Sequence, residues 1–184
     1  MPKIFPFSTA NNLIIYISGK GASSKDFSAL ITDSLPDLNM QHSSGQGFPL
    51  FLYEKILDNE VHVGESFDLL SESNQGTISV EDIISDEKNK SLYHRKYSIT
   101  KEGLGYFFDY YTNQMVNGEE INEEDLFFYI YGLLHSEDYR ERYAENLGKQ
   151  LPNIPRVKAY KDFITFSKAG RQLADLHINY ENVD

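Results

Sequence analysis

Residues 122–157 read NEEDLFFYIYGLLHSEDYRERYAENLGKQLPNIPRV, and the physics of this stretch constrains the rest of the chain. Leu126 to Leu134 is apolar or aromatic everywhere except Gly132. A helix greasy on all sides belongs inside a core, not on a surface. Asn122 is its expected N-cap, and Glu123, Glu124 and Asp125 complement the positive end of the helix dipole. Ser136 is expected to end this helix and cap a second one over Glu137–Lys149. The second helix carries one apolar stripe, Tyr139, Tyr143, Ala144 and Leu147. Its other face offers Asp138–Arg142 and Glu145–Lys149 pairs at i,i+4. Pro152 and Pro155 then stop helicity, because each proline pushes its predecessor out of the α region. The predicted hub is an antiparallel helical hairpin.

Working outward, Arg156, Lys158 and Lys161 lead into a final helix over Asp162–His177, with Phe163, Phe166, Leu173 and Leu176 inward. Upstream, the spacing of Leu104, Phe107, Phe108, Tyr111 and Met115 predicts a helix over Ile99–Met115. Ser98 or Thr100 caps it, Gly103 and Gly105 weaken its first turns, and Asn117-Gly118 closes it. Lys55–Tyr97 carries little periodicity. Ser71–Gly76 and Asp86–Lys90 have turn chemistry, and Val80–Ile84 suggests one helical turn after Ser79. Lys88, Lys90, His94, Arg95 and Lys96 are the densest basic cluster, read as a solvated patch before a helix or as a phosphate-binding arm.

The N-terminal part has strand character instead. Leu13–Ile17, Phe27–Thr32 and Phe48–Tyr53 are short apolar runs bounded by turn residues, and Pro49 assigns the third to an edge or a strand start. The fold class is therefore α+β. A small N-terminal β-sheet with long loops packs on a C-terminal helical half of about four helices. The expected division is 1–98 for the sheet-containing part and 99–184 for the helical part, within one continuous domain.

The chain has no cysteine, so neither disulfides nor thiolate metal sites are available to it. No segment has the length and apolarity of a signal peptide or membrane span, so a cytoplasmic location without membrane partners is expected. Net charge is −11. Residues 1–57 balance four basic against four acidic side chains, whereas 99–184 set nine basic against fifteen acidic. A protein that gripped phosphates along its whole surface would be biased the other way. An acidic body remains compatible with a local basic face.

Catalytic signatures are missing. His42, His62, His94, His135 and His177 have no metal-ligand spacing and are expected to be satisfied or solvated; no metal ligand, cofactor or catalytic residue is assigned. Ser18–Lys25 is glycine-rich but lacks the P-loop spacing. It reads as a plain turn or as a nucleic-acid-contacting loop in which Lys20, Ser23, Ser24 and Lys25 donate to phosphates. The polar loop Asn39–Gly47 carries Gln41, His42 and Gln46. Glutamine amides pair bidentately with adenine, so these residues are candidates for base reading beside the bland alternative of a solvated loop. Arg156 and Lys158, beside the rigid proline turn, are further candidates for phosphate contact.

YIYGLLHSEDYRERYAENLGKQLPNIPRV (129–157), FITFSKAGRQLADLHINYE (163–181), YISGKGASSKDFSALITDSLPDLN (16–39) and GFPLFLYE (47–54) together carry a resemblance. The chain looks like the C-terminal specificity region of Type ISP restriction-modification enzymes and of single-chain Type II enzymes fused to adenine methyltransferases. The likeness covers roughly Leu13–Glu54 and Ile121–Glu181; between Lys55 and about Glu120 none is recognised. It implies a target-recognition module that binds double-stranded DNA and positions the methyltransferase/helicase portion of a parent enzyme. The six prolines are never adjacent, so the Asn/Asp-Pro-Pro-aromatic methyltransferase motif is absent and no catalytic residue transfers. Two rivals stand beside this reading. One is an acidic protein-interaction or structural remnant that never touches DNA; the other is a stand-alone enzyme of unknown class.

Overall fold

A computed structural model describes residues 3–18, 27–37, 45–56, 82–116 and 118–182. Among the described residues six strands precede five α-helices: β1 (Ile14–Ile17), β2 (Ala29–Thr32), β3 (Gln46–Pro49), β4 (Phe51–Lys55), β5 (Ile83–Asp86), β6 (Ser91–Tyr97), α1 (Lys101–Tyr111), α2 (Glu123–His135), α3 (Glu137–Arg142), α4 (Ala144–Leu147) and α5 (Tyr160–Ile178). The architecture is the expected α+β one, with the helical part at the C-terminus, but the strands form two antiparallel three-stranded sheets instead of one. Their orders are β2-β1-β3 and β4-β6-β5.

The predicted strand Phe48–Tyr53 is in fact divided between these sheets. Pro49 has no N–H to continue a ladder, and buried Leu50 turns the chain from one sheet to the other. The Leu50 N–H donates to the Leu13 carbonyl, and its carbonyl accepts from the Ser98 N–H. Asn12 fastens the junction: its amide donates to the Ile4 and Phe51 carbonyls, and its side-chain oxygen accepts from the Leu13 and Phe51 N–H groups. A buried amide with all these bonds made is stabilising where one left unpaired would cost free energy.

Of the helical turn expected around Val80–Ile84, Val80 and Glu81 lie outside the described residues and Asp82 is in a 3-10 turn, but Ile83 and Ile84 depart from it: they begin β5, paired with His94 and Tyr93. The basic cluster does precede a helix, α1, but it is itself carried by the β5–β6 hairpin. Lys88 and Lys90 sit in a hairpin turn, while His94, Arg95 and Lys96 lie in β6, the central strand. Asp86 holds that turn by accepting from the Lys88 and Asn89 N–H groups. Arg95 lies over the Phe51 ring, and Lys96 bridges to Glu54.

Local chemistry sets the helix starts. Asn122 Oδ1 accepts from the Asp125 N–H, and the Asp125 carboxylate accepts from the Asn122 N–H, completing a capping box. Thr100 caps α1, because the Ser98 hydroxyl is bonded to the Pro49 carbonyl. Ser136 caps α3. Ala159 offers α5 no side-chain cap, and Gln114 substitutes from the end of α1. Its amide oxygen accepts from the Tyr160 N–H at 2.9 Å, and its nitrogen donates to the Lys158 carbonyl.

Within α2 every residue from Leu126 to Leu134 is buried except partly exposed Ile130. The hub, however, is the crossing of α2 with α5, not a hairpin of α2 with α3. The segment predicted as one helix over Glu137–Lys149 breaks at Tyr143 (φ −107°, ψ 13°). The Asp138–Arg142 and Glu145–Lys149 ion pairs are not among those formed by the described residues. At the crossing, Gly132 and Gly170 bring two backbones together: a Cβ at Gly170 would lie 2.0 Å from the Phe128 carbonyl oxygen. Around it Phe163 packs on Tyr129, ring centroids 4.7 Å apart, with Phe107 and Tyr111 beside it. Arg171 lies over Phe128 and reaches Glu124 and Asp125. Leu176, predicted inward, is 50% exposed, and Phe108, which shares the apolar spacing of α1, is 39% exposed. The apolar core runs without a break from Ile15, Ile17, Ala29 and Ile31 into α2 and Phe163.

Candidate nucleic-acid interface

Leu151–Lys158 has no helix or ladder to satisfy it, and tyrosine hydroxyls take over. Tyr139 donates to the Asn153 carbonyl at 2.8 Å, Tyr129 to Pro155 at 2.6 Å and Tyr111 to Val157 at 2.6 Å. Alternate carbonyls of an extended segment are thus bound from three different helices. Burial pushes the phenol pKa values up, to about 12 for Tyr129 and Tyr139. The phenols therefore remain protonated donors throughout the physiological range.

This fixed segment carries Arg156 and Lys158. The Arg156 guanidinium lies 3.7 Å from the Tyr106 ring centroid and 4.4 Å from that of Tyr110, and it donates to the Tyr106 carbonyl at 3.0 Å. Lys158 is exposed. Gln46 is also exposed, but it sits in β3 opposite Ile17 and not in a loop. Leu151, Pro152 and Ile154 share with Phe48 and Pro49 the walls of an apolar cavity of about 270 Å³. The strand bearing Gln46 and the segment bearing Arg156 therefore border one feature. Lys20, Ser23, Ser24, Lys25, Gln41 and His42 lie outside the described residues.

Tyr106 and Tyr110 were not legible as site residues. They stand on α1, 46 or more residues before Arg156, and only the fold unites them. His135, expected to be satisfied or solvated, is partly buried, and its Nε2 makes no hydrogen bond. Burial, then the Arg140 and His177 charges, lower its pKa to about 4. The neutral ring fits the fold and the imidazolium does not. Its contribution to stability is complete above about pH 6.5 and is lost as pH falls toward 4. Urea melts at pH 7 and pH 4.5 should show the parent chain losing on the order of 2 kcal/mol more than His135→Phe, allowing for partial exposure of the ring. Equal losses would rule that role out.

Among the described residues no three His, Asp or Glu side chains are placed to hold a metal ion, and no helix is long and apolar enough to cross a membrane. The geometry defines a two-sheet α+β domain that displays a stapled cationic segment beside a buried helix crossing. The chain belongs to the Type ISP C-terminal specificity domain family, whose model matches residues 1–184 and so includes the middle region in which no resemblance was recognised. Three solved structures are similar to it. The ATP-dependent Type ISP restriction-modification enzyme LlaBIII bound to DNA is 31% identical, with a TM-score of 0.66 over 99% of this chain and 9% of that one. The DrdV–DNA complex is 29% identical, with a TM-score of 0.67 over 98% and 13%. A nuclease-deletion mutant of the Type ISP enzyme LlaGI with a DNA substrate mimic is 28% identical, with a TM-score of 0.60 over 98% and 11%. The chain thus spans about a tenth of the length of these enzymes. No match is found among curated proteins.

Proposed function

We propose that this chain is the DNA sequence-recognition module of a restriction-modification enzyme and makes or breaks no bonds itself. The family match over the whole chain carries this reading, supported by relatives solved on DNA. In it, Gln41, His42 and Gln46 read base edges, and Lys20, Ser23, Ser24 and Lys25 contact phosphates. The module positions the methyltransferase and helicase portions of a longer polypeptide in the cytoplasm, and those portions supply the chemistry and much of the affinity. This division of labour accommodates a net charge of −11, since a selectivity element need not be basic overall.

The test is a titration of a fluorescently labelled duplex at low salt, with this chain alone and with the chain joined to a Type ISP methyltransferase portion. Saturable binding that weakens with salt is expected, and it should be tighter in the joined protein. No binding by either protein would remove the reading in favour of a domain that docks only on protein.

A further inference from the structure

We infer that the DNA-contacting surface includes the outward side of α1, where Tyr106, Arg156 and Tyr110 form a rigid seat for one backbone phosphate; this rests on the DNA-recognition reading above. Three observations point to it. First, the guanidinium packs against two rings, with centroids 3.7 and 4.4 Å away, so it is held in place without a charge partner. Arg95 and Arg171 are paired with Asp82 and with Glu124 and Asp125, whereas no carboxylate lies within ion-pair distance of Arg156 among the described residues.

Second, the backbone beneath it is already fixed. The Pro155 and Val157 carbonyls on either side are bound by Tyr129 and Tyr111, and the Lys158 carbonyl by Gln114. The ring stack is not needed to pin the segment. What it adds is orientation of a planar fork, of which only one nitrogen is used internally, toward Tyr106. Such a fork matches two phosphate oxygens, and ordering it in advance reduces the entropy lost on binding.

Third, Tyr106 and Tyr110 are 53% and 39% exposed, and their hydroxyls have no hydrogen-bond partner among the described residues. Tyrosine hydroxyls are ordinary phosphate donors. Lys158, exposed two residues further along, extends the cationic strip. An acidic protein segment would meet the same fork; the DNA-bound relatives favour phosphate.

Binding of a random-sequence duplex measured across salt concentrations tests the assignment. Arg156→Gln should weaken binding about tenfold near 0.1 M salt and reduce the slope of log K against log salt by about one. Arg156→Lys should keep the slope and lose a few-fold, because an ammonium lacks the fork. An unchanged slope in Arg156→Gln would overturn the assignment while leaving the recognition reading intact; failure of the unaltered chain to bind would remove both. Phenylglyoxal modification of the unaltered chain requires no variant. Duplex should slow modification of Arg156 several-fold, and equal modification with and without duplex, or protection by a poly-glutamate peptide alone, would overturn the seat.

Discussion

Gly170→Ala is expected to destabilise the chain by about 3 kcal/mol or more, lowering its melting temperature by roughly 6–12 °C. The added methyl would stand 2.0 Å from the Phe128 carbonyl oxygen and 2.8 Å from the Gly132 nitrogen. Both obstacles are backbone, so no rotamer change relieves the contact and α5 must move off α2. Gly132→Ala should behave similarly, with its methyl 2.5 Å from the Phe166 carbonyl oxygen. Gly105 gives the internal contrast. A methyl there meets nothing within 4 Å, and alanine in the interior of α1 should stabilise by about 0.5–1 kcal/mol. Thermal melts of the three variants decide the matter, and a Gly170→Ala chain as stable as its parent would refute the close crossing.

The second large effect is expected from replacing Tyr111, Tyr129 and Tyr139 together by phenylalanine. The rings stay, so aromatic packing around Phe163 is preserved, but the Val157, Pro155 and Asn153 carbonyls lose their donors. A part-buried acceptor left unsatisfied costs about 1 kcal/mol or more, so the triple variant should lose about 3 kcal/mol in urea unfolding. Amide exchange at Arg156 and Lys158 should quicken as well, because the segment is then held only by the Arg156 stack, Gln114 and the apolar packing of Ile154 and Val157. A loss below about 1 kcal/mol would show that the staples contribute little, and the rigidity required of the Arg156 seat would go with them.

How legible the fold was depended on how local its causes are. The start of α2 was readable because Asn122 and Asp125 are three residues apart and cap each other. The depth of α2 was readable because its apolar run leaves no face for solvent. The partner of α2 was not. Proximity along the chain suggested α3, whereas a glycine 38 residues away from Gly132 selected α5. Likewise, the division into two sheets depends on Asn12 meeting Ile4 and Phe51. An asparagine flanking a strand reads locally as a turn residue, not as a buried junction. Within the candidate site, Arg156 and Lys158 stood out as cations beside prolines, while the rings that hold Arg156 and the hydroxyls that fix its backbone come from α1, α2 and α3. The Type ISP resemblance was readable from long motifs in both halves, and the family match extends it through the middle of the chain.

The most direct measurement of the central claim is selection of a randomised duplex pool by this chain, joined to a Type ISP methyltransferase portion in parallel, followed by sequencing of the retained DNA. A recognition module should enrich one short sequence, and the same sequence should emerge from the chain alone at low salt and from the joined protein. A retained pool as random as the input, or a joined protein whose preferred sequence is unaltered when this chain is removed, would contradict it.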